Sequence, residues 1–558
     1  MKKYFIFLKI SNLILGLVLI VCVFKNISYP LFWADESMTI MGTERVLQYG
    51  YPKSHDGKNT LNDLYCTDPK MAVNEEDDAF IGGASWGQYY YGTIGYALAD
   101  KADDMYTKTG IVRSTFAFIG IAGIFLLIYF MSGLFTNGFT KQIFIFIFLL
   151  CEFTSCTLLL HLKEVRYYSI AFFISAFLLS IYVRYRFYKP FNNILFIFLL
   201  SASSWLLFNT FSPLYFIFSL SIGLSEIIMM VFEYVKTKKL MDSFKKSLPV
   251  IVSLAIAFFA VSPLLIYFKT FARAEVNYSD LNFNFSVYKT YLALVIGYFE
   301  NRELFWLALA MRIGILLNIK KVMTLNSPLF KASNYFTLLF IVFVFSIPKI
   351  PTGIFSRYLI YMQPVLCLSA IFDFFLLFKL FLNDQKNIFN AKTVVLIITF
   401  SGLFSYTVLM NLPYLRSHLF EMTHQYKGPL DYTIPFIKSN FTETDKLVIA
   451  TNYEETSYMY YLKSKVIVGN MCNNIASDSL LSPDIISRRY ALTMMPGVFD
   501  KFHKQAVYDT IVFPLNDATV NNIPELYTEP QHKFVSDTSS NGQNGQVILY
   551  VKKGLRNR

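Results

Sequence analysis

The 558-residue sequence is 54% hydrophobic and only 16% charged, with a mean hydropathy of +0.43; soluble domains carry about a quarter charged residues. That excludes an ordinary soluble enzyme. The formal charge of +12 does not point to nucleic acid, because Lys and Arg sit in short loops between apolar runs, where they set membrane topology.

A membrane span needs about 20 apolar residues. The first such run, 4–24, is followed by Asn26-Ile-Ser-Tyr-Pro rather than a small-residue cleavage site, so it reads as a retained anchor. A long polar loop, 25–112, comes next. It opens on Phe32-Trp-Ala-Asp-Glu-Ser and carries the acidic run Glu75, Glu76, Asp77 and Asp78, then an aromatic stretch around Tyr89 and Tyr90. Within it, 88–99 is too short to span and is expected to lie at the interface as a helix. Further apolar runs follow at 113–135, 143–162, 167–187, 193–209, 213–232, 248–268, 304–317, 335–347, 358–380 and 393–412. The expected fold is therefore an α-helical polytopic membrane protein with about eleven spans. With Lys2 and Lys3 cytoplasmic, alternation puts most loop Lys and Arg inside. The same orientation puts the 25–112 loop and the C-terminus outside. Residues 1–412 form the expected membrane domain.

The tail, 413–558, changes character. Segments 446–450, 465–469, 509–514 and 546–551 read as strands, and 454–462 as a short helix. This predicts a small extracytoplasmic α/β domain. Cys22, Cys151, Cys156 and Cys367 fall inside apolar runs and act as small hydrophobes; Cys66 and Cys472 lie in polar regions and are free to pair. No CxxC or Cys/His zinc spacing occurs.

Three segments carry chemistry, all at the outer ends of spans in this topology. Asp35 and Glu36 follow the first span, where a carboxylate can deprotonate an acceptor or merely begin a helix. His161-Leu-Lys-Glu-Val-Arg-Tyr-Tyr-Ser packs Glu164, Arg166 and Tyr167 into one turn. Arg offers phosphate a planar fork of donors; snorkelling anchorage accounts for Lys163 and Tyr168 but not for Glu164. Arg357-Tyr358 opens a late span and has the same two readings.

An Asp-Glu pair after the first span, a Glu-x-Arg-Tyr turn before the fourth and an Arg-Tyr pair opening a late span resemble the GT-C-fold glycosyltransferases. The likeness is to the bacterial branch that includes family thirty-nine, the protein O-mannosyltransferases and the lipid A aminoarabinose transferases. It covers the whole layout. The resemblance implies that Asp35 is the catalytic carboxylate with Glu36 in support. It also implies that Glu164, Arg166 and Tyr167 line the cavity, that Arg357 and Tyr358 contact the donor phosphate, and that Tyr89 and Tyr90 contact substrate. Where the family often has a His-Pro-Pro-like step, this chain has Gly87-Gln88-Tyr89-Tyr90.

The implied activity is inverting transfer of a sugar from a polyprenyl-phosphate carrier to an acceptor hydroxyl or amine at the outer face of a bacterial inner membrane. No cofactor is certain; a divalent metal on Asp35 and the acidic run is compatible with relatives of the fold, though charge runs are usually solvated. The competing classes are a lipid or glycan transporter or flippase, and a polysaccharide polymerase or ligase. A transporter tends to show internal hydropathy repeats, which the sequence lacks; Glu152 and Asp373 are its exceptional mid-span acids.

Overall fold

The computed structural model describes residues 2–61, 73–74, 76–82, 85–270, 285–325, 327–347, 356–383, 391–425, 427–451, 454–468, 482–488, 502–504, 506–516 and 546–555. Cys66, Cys472 and Glu75 lie outside them. The chain divides into two compact units that do not follow chain order. One comprises Met1–Val21, Ile119–Leu162 and Tyr168–Arg416; the other comprises Cys22–Phe118, Lys163–Tyr167 and Ser417–Arg558.

The first unit is helical. Across the chain, nine described helices are long and apolar enough to cross a membrane, ten if a bent pair counts as one span. The bent pair is Gly138–Phe153 with Cys156–Leu162, turned by 80°, and it corresponds to the expected run 143–162. The expected run 304–317 is a helix, Arg302–Leu317, of 16 residues, or about 24 Å, short of the roughly 30 Å of a bilayer core. Ile194, Phe259 and Ile266 keep 78%, 74% and 81% of their surface exposed, the pattern of lipid-facing positions.

Several charges inside this unit are paired. Arg186 grips Glu226 with two bonds of 2.7 Å, and Tyr182 donates to the same carboxylate at 2.8 Å. Arg312 pairs with Asp373 at 2.9 Å, and Ser333 donates to Asp373 as well. At the bend, Glu300 accepts from the Cys156 and Thr157 amides at 2.7 and 3.0 Å. It thereby satisfies donors that a helix start would otherwise leave open.

The second unit contains the polar loop and the tail. Its helices are Ala34–Tyr49, Gly87–Ala99, Leu430–Asn440 and Glu455–Leu462. Five strands form one sheet, in the order Lys465–Val468, Val448–Thr451, Ile485–Arg488, Gln546–Lys552, Tyr508–Asn516. The first three run parallel and the last two antiparallel to their neighbours. All four expected strands and the 454–462 helix are present, as is the 88–99 helix. The loop is braced by Arg45, fully buried, which donates to the carbonyls of Lys53, Ser54 and Asn59 and to Asp56 at 3.0 Å.

Candidate active site

The site is built on the helix Ala34–Tyr49. Its first turn carries Asp35 and Glu36, where the positive end of the helix dipole favours carboxylates. Three side chains of the Glu455–Leu462 helix hold the approach to it. Ser457 donates to the Phe32 carbonyl at 2.9 Å, Thr456 to the Ala34 carbonyl at 3.1 Å, and the Phe32 amide donates to the Tyr461 hydroxyl at 3.0 Å. Burial raises the Tyr461 hydroxyl well above its ordinary pKa, so it stays neutral and serves as an acceptor.

The two acids differ sharply. Glu36 is 1% exposed and fully engaged. Arg113 meets it with Nε–Oε1 at 2.8 Å and a second bond of 2.5 Å, and the Val165 amide donates to Oε1 at 3.1 Å. Arg113 also donates to the Ile27 and Pro30 carbonyls. Such a fork-on-carboxylate pair is the geometrically defined kind of ion pair. Glu36 therefore ties the Asp35 helix to Arg113 and to the 163–167 turn, with both of its oxygens engaged.

Asp35 is partly open. Its side chain keeps 18% exposure and meets Arg166 at 3.3 Å. The Arg166 guanidinium lies 5.7 Å from the ring centre of Tyr167, and the Tyr167 amide donates to Gln88 Oε1 at 3.1 Å. Arg166 also closes a tight turn, its amide donating to the Glu164 carbonyl at 2.8 Å. The sequence reading thus brings together Asp35, Glu36, Glu164, Arg166 and Tyr167 in one unit. The Tyr pair separates: Tyr89 is fully buried between the Ala34–Tyr49 and Gly87–Ala99 helices, its carbonyl accepting from Thr43 at 3.1 Å. Tyr90 points outward and donates to the Gly50 carbonyl at 2.8 Å. Neighbouring Gln88 reaches the Arg166 turn through the Tyr167 amide.

Arg357 and Tyr358 belong to the other unit. Arg357 is buried in the short helix Ser356–Leu359 and lies 5.6 Å from the Tyr358 ring centre. Tyr358 stacks on Phe211 at 6.2 Å and faces Tyr168 at 6.5 Å, while His161 lies 5.1 Å from Tyr168. Arg357 thus lies against Tyr358, which is itself set among aromatic rings.

Two residues that sequence reasoning missed are Arg113 and Gln88. The signal for Arg113 was available: a guanidinium at the start of an apolar run needs a carboxylate partner. The acidic run is structural where described: Asp78 accepts from the His55 amide at 3.2 Å and pairs with its ring at 2.6 Å, and Asp77 accepts from the Ala79 amide. Among the described residues, no group of three His, Cys, Asp or Glu side chains suited to a metal includes Asp35.

No family model and no curated protein matches this chain. Solved structures do. ArnT from Cupriavidus metallidurans in the apo state is 12% identical with TM-score 0.52, over 90% of this chain and 96% of that one. ArnT from the same organism bound to undecaprenyl phosphate is 11% identical with TM-score 0.52, over 97% and 98%. The Archaeoglobus fulgidus oligosaccharyltransferase, tethered to an acceptor peptide containing the NVT sequon, is 9% identical with TM-score 0.50, over 98% and 76%. At these identities the likeness is one of fold: the chain has the polytopic helical GT-C fold.

Proposed function

We propose that this protein is a membrane glycosyltransferase. Its donor is a polyprenyl-phosphate sugar and its acceptor a hydroxyl or amine at the outer membrane face. The observation that carries this reading is the unequal pair at one helix start: Glu36 is saturated by Arg113, while Asp35 stays partly exposed beside Arg166. Asp35 takes the acceptor proton as the acceptor atom attacks the anomeric carbon. The bond from that carbon to the phosphate oxygen breaks, and the phosphate leaves with the electron pair. Arg166, beside Asp35, stabilises the charge developing on the leaving phosphate. A single displacement inverts the anomeric centre. Glu36 positions Asp35 rather than acting on substrate. Two of the likenesses agree with a lipid-borne donor and an external acceptor: one neighbour holds undecaprenyl phosphate and another an acceptor peptide.

The test is turnover of lipid-linked sugar in membranes or detergent. Asp35→Asn is expected to lower transfer by about 10²–10⁴-fold, the usual worth of a general base, while the protein still inserts and purifies as a monodisperse species. Near-normal transfer by that variant removes Asp35 from the chemistry.

A further inference from the structure

The mid-span acid Glu152 is fully buried, and among the described residues neither of its carboxylate oxygens has a hydrogen-bond partner. A lone carboxylate in an apolar interior is among the costliest arrangements a protein holds. The other mid-span acid, Asp373, is compensated by Arg312; Glu152 is not. Two thiol sulfurs lie beside Glu152. The ligand atoms of Cys151, Glu152 and Cys367 all lie within 4.8 Å of one another, and both cysteines are buried. Gln363 sits one helical turn before Cys367, so both face the same way. Its Nε2 donates to the Cys151 carbonyl at 3.3 Å and approaches Cys151 Sγ at 3.2 Å, while its Oε1 is buried with no hydrogen-bond partner among the described residues.

We infer that Cys151, Glu152 and Cys367 form a binding site for a thiophilic divalent cation of the zinc class, with Gln363 at its edge. Zn–S bonds of about 2.3 Å and Zn–O bonds of about 2.0–2.2 Å put tetrahedral ligands roughly 3.3–3.8 Å apart. The cluster therefore needs only rotamer-scale closure around an ion. Two sulfurs exclude magnesium and calcium, which prefer all-oxygen shells. On binding, each thiol forms a sulfur–metal bond and releases its proton to solvent. The carboxylate gains the positive neighbour it otherwise lacks, and the Gln363 Oε1 or a water completes the shell.

The placement suggests what the ion does. Cys151 and Glu152 end the Gly138–Phe153 helix just before the 80° bend, and Cys367 lies on Met362–Asn383. Phe144 already packs on Phe372 between these two helices, with ring centres 6.1 Å apart. A metal here pins the bend to a central helix, directly upstream of the chain segment that carries Arg166.

The experiment uses the full chain, expressed with zinc supplied and purified in detergent without chelator. Metal content is measured by elemental mass spectrometry. Zinc-stripped protein is then titrated with cadmium, following the sulfur-to-cadmium charge-transfer band. About one zinc per chain and a saturable cadmium band are expected for the wild type. Cys151→Ser and Cys367→Ser should lose both, and Glu152→Gln should keep a weakened band. Each variant is checked for a monodisperse elution profile. Because the wild-type titration needs no variant, that arm stands even if a variant fails to fold. A wild type that takes up no cadmium overturns the proposal. So does zinc content that is unchanged in both cysteine variants, or a Cys151–Cys367 disulfide as the resting state.

Discussion

At the residue scale, the two adjacent acids are separated by their partners rather than by their chemistry. Glu36 and Asp35 have the same charge and neighbouring positions, yet one is closed off by Arg113 and one meets Arg166 at the edge of solvent. Removing one member of a buried ion pair strands the other, at about 3–5 kcal/mol; removing both costs far less. Arg113→Ala is therefore expected to lower unfolding stability by about that amount. The double variant Arg113→Met with Glu36→Leu should recover most of it, as read by thermal unfolding in detergent. Single and double variants that lose equal stability would deny the pair its bracing role. Asp35 was legible in the sequence because an acid pair beyond a span is unusual. The division of labour was not legible, because Arg113 lies 77 positions from Glu36 and only the fold joins them.

At the element scale, the carboxylate helix rests on Gly87–Ala99 through small residues. A Cβ built on Gly42 would lie 2.6 Å from Cδ1 and 2.8 Å from Cε1 of the buried Tyr89 ring. Gly→Ala inside an exposed helix gains roughly 0.5–1 kcal/mol from backbone entropy. Forcing a methyl into a packed core costs roughly 1–3 kcal/mol. Overpacking wins here, because the Tyr89 ring has no solvent to retreat into. Gly42→Ala should be net destabilising by about 1 kcal/mol, and should also reduce transfer, because the same helix carries Asp35. A stabilised, fully active Gly42→Ala would refute the close packing. Sequence reasoning found the long spans and four of the five tail strands, whose apolar runs are continuous, but it also counted the short helix Arg302–Leu317 as a span. It did not find the Ala34–Tyr49 helix or the strand Ile485–Arg488. The first has no clean apolar stripe, because its buried face includes Glu36, Thr39, Thr43 and Arg45. The second offers only two apolar residues, and its neighbours on both sides supply the pairing that defines it.

At the scale of the whole molecule, acidity should act through Asp431. It is buried and accepts from the Leu31 amide at 3.1 Å and the Gly428 amide at 2.7 Å. Burial nevertheless pushes its carboxyl up from 3.8 to about 6. A carboxyl raised in the folded state holds a proton there that the unfolded chain has already lost. Its stabilising contribution is thus complete below about pH 4 and gone above about pH 6, with a total near 3 kcal/mol. Asp431→Asn should flatten the fall in thermal stability between pH 4 and pH 6, measured against the wild type over the same range. An identical pH profile in the variant would rule this out. The multi-span layout itself was readable from hydropathy, since lipid imposes it along the chain, whereas the likeness to the GT-C fold rested on three short motifs. The pairing of the polar loop with the tail was not, because no local pattern encodes a contact across about 400 positions.

The unit that bears Asp35 draws on Cys22–Phe118, Lys163–Tyr167 and Ser417–Arg558. A ribosome releases these pieces in order, so the carboxylate helix emerges long before Ser457, Thr456 and Tyr461, which steady its entrance. A nascent chain halted after the helix Ala391–Thr423 but before Thr456 would already possess its membrane helices and both acids, yet lack that clasp. Such a truncated product should be catalytically silent, which ties competence to completion of synthesis.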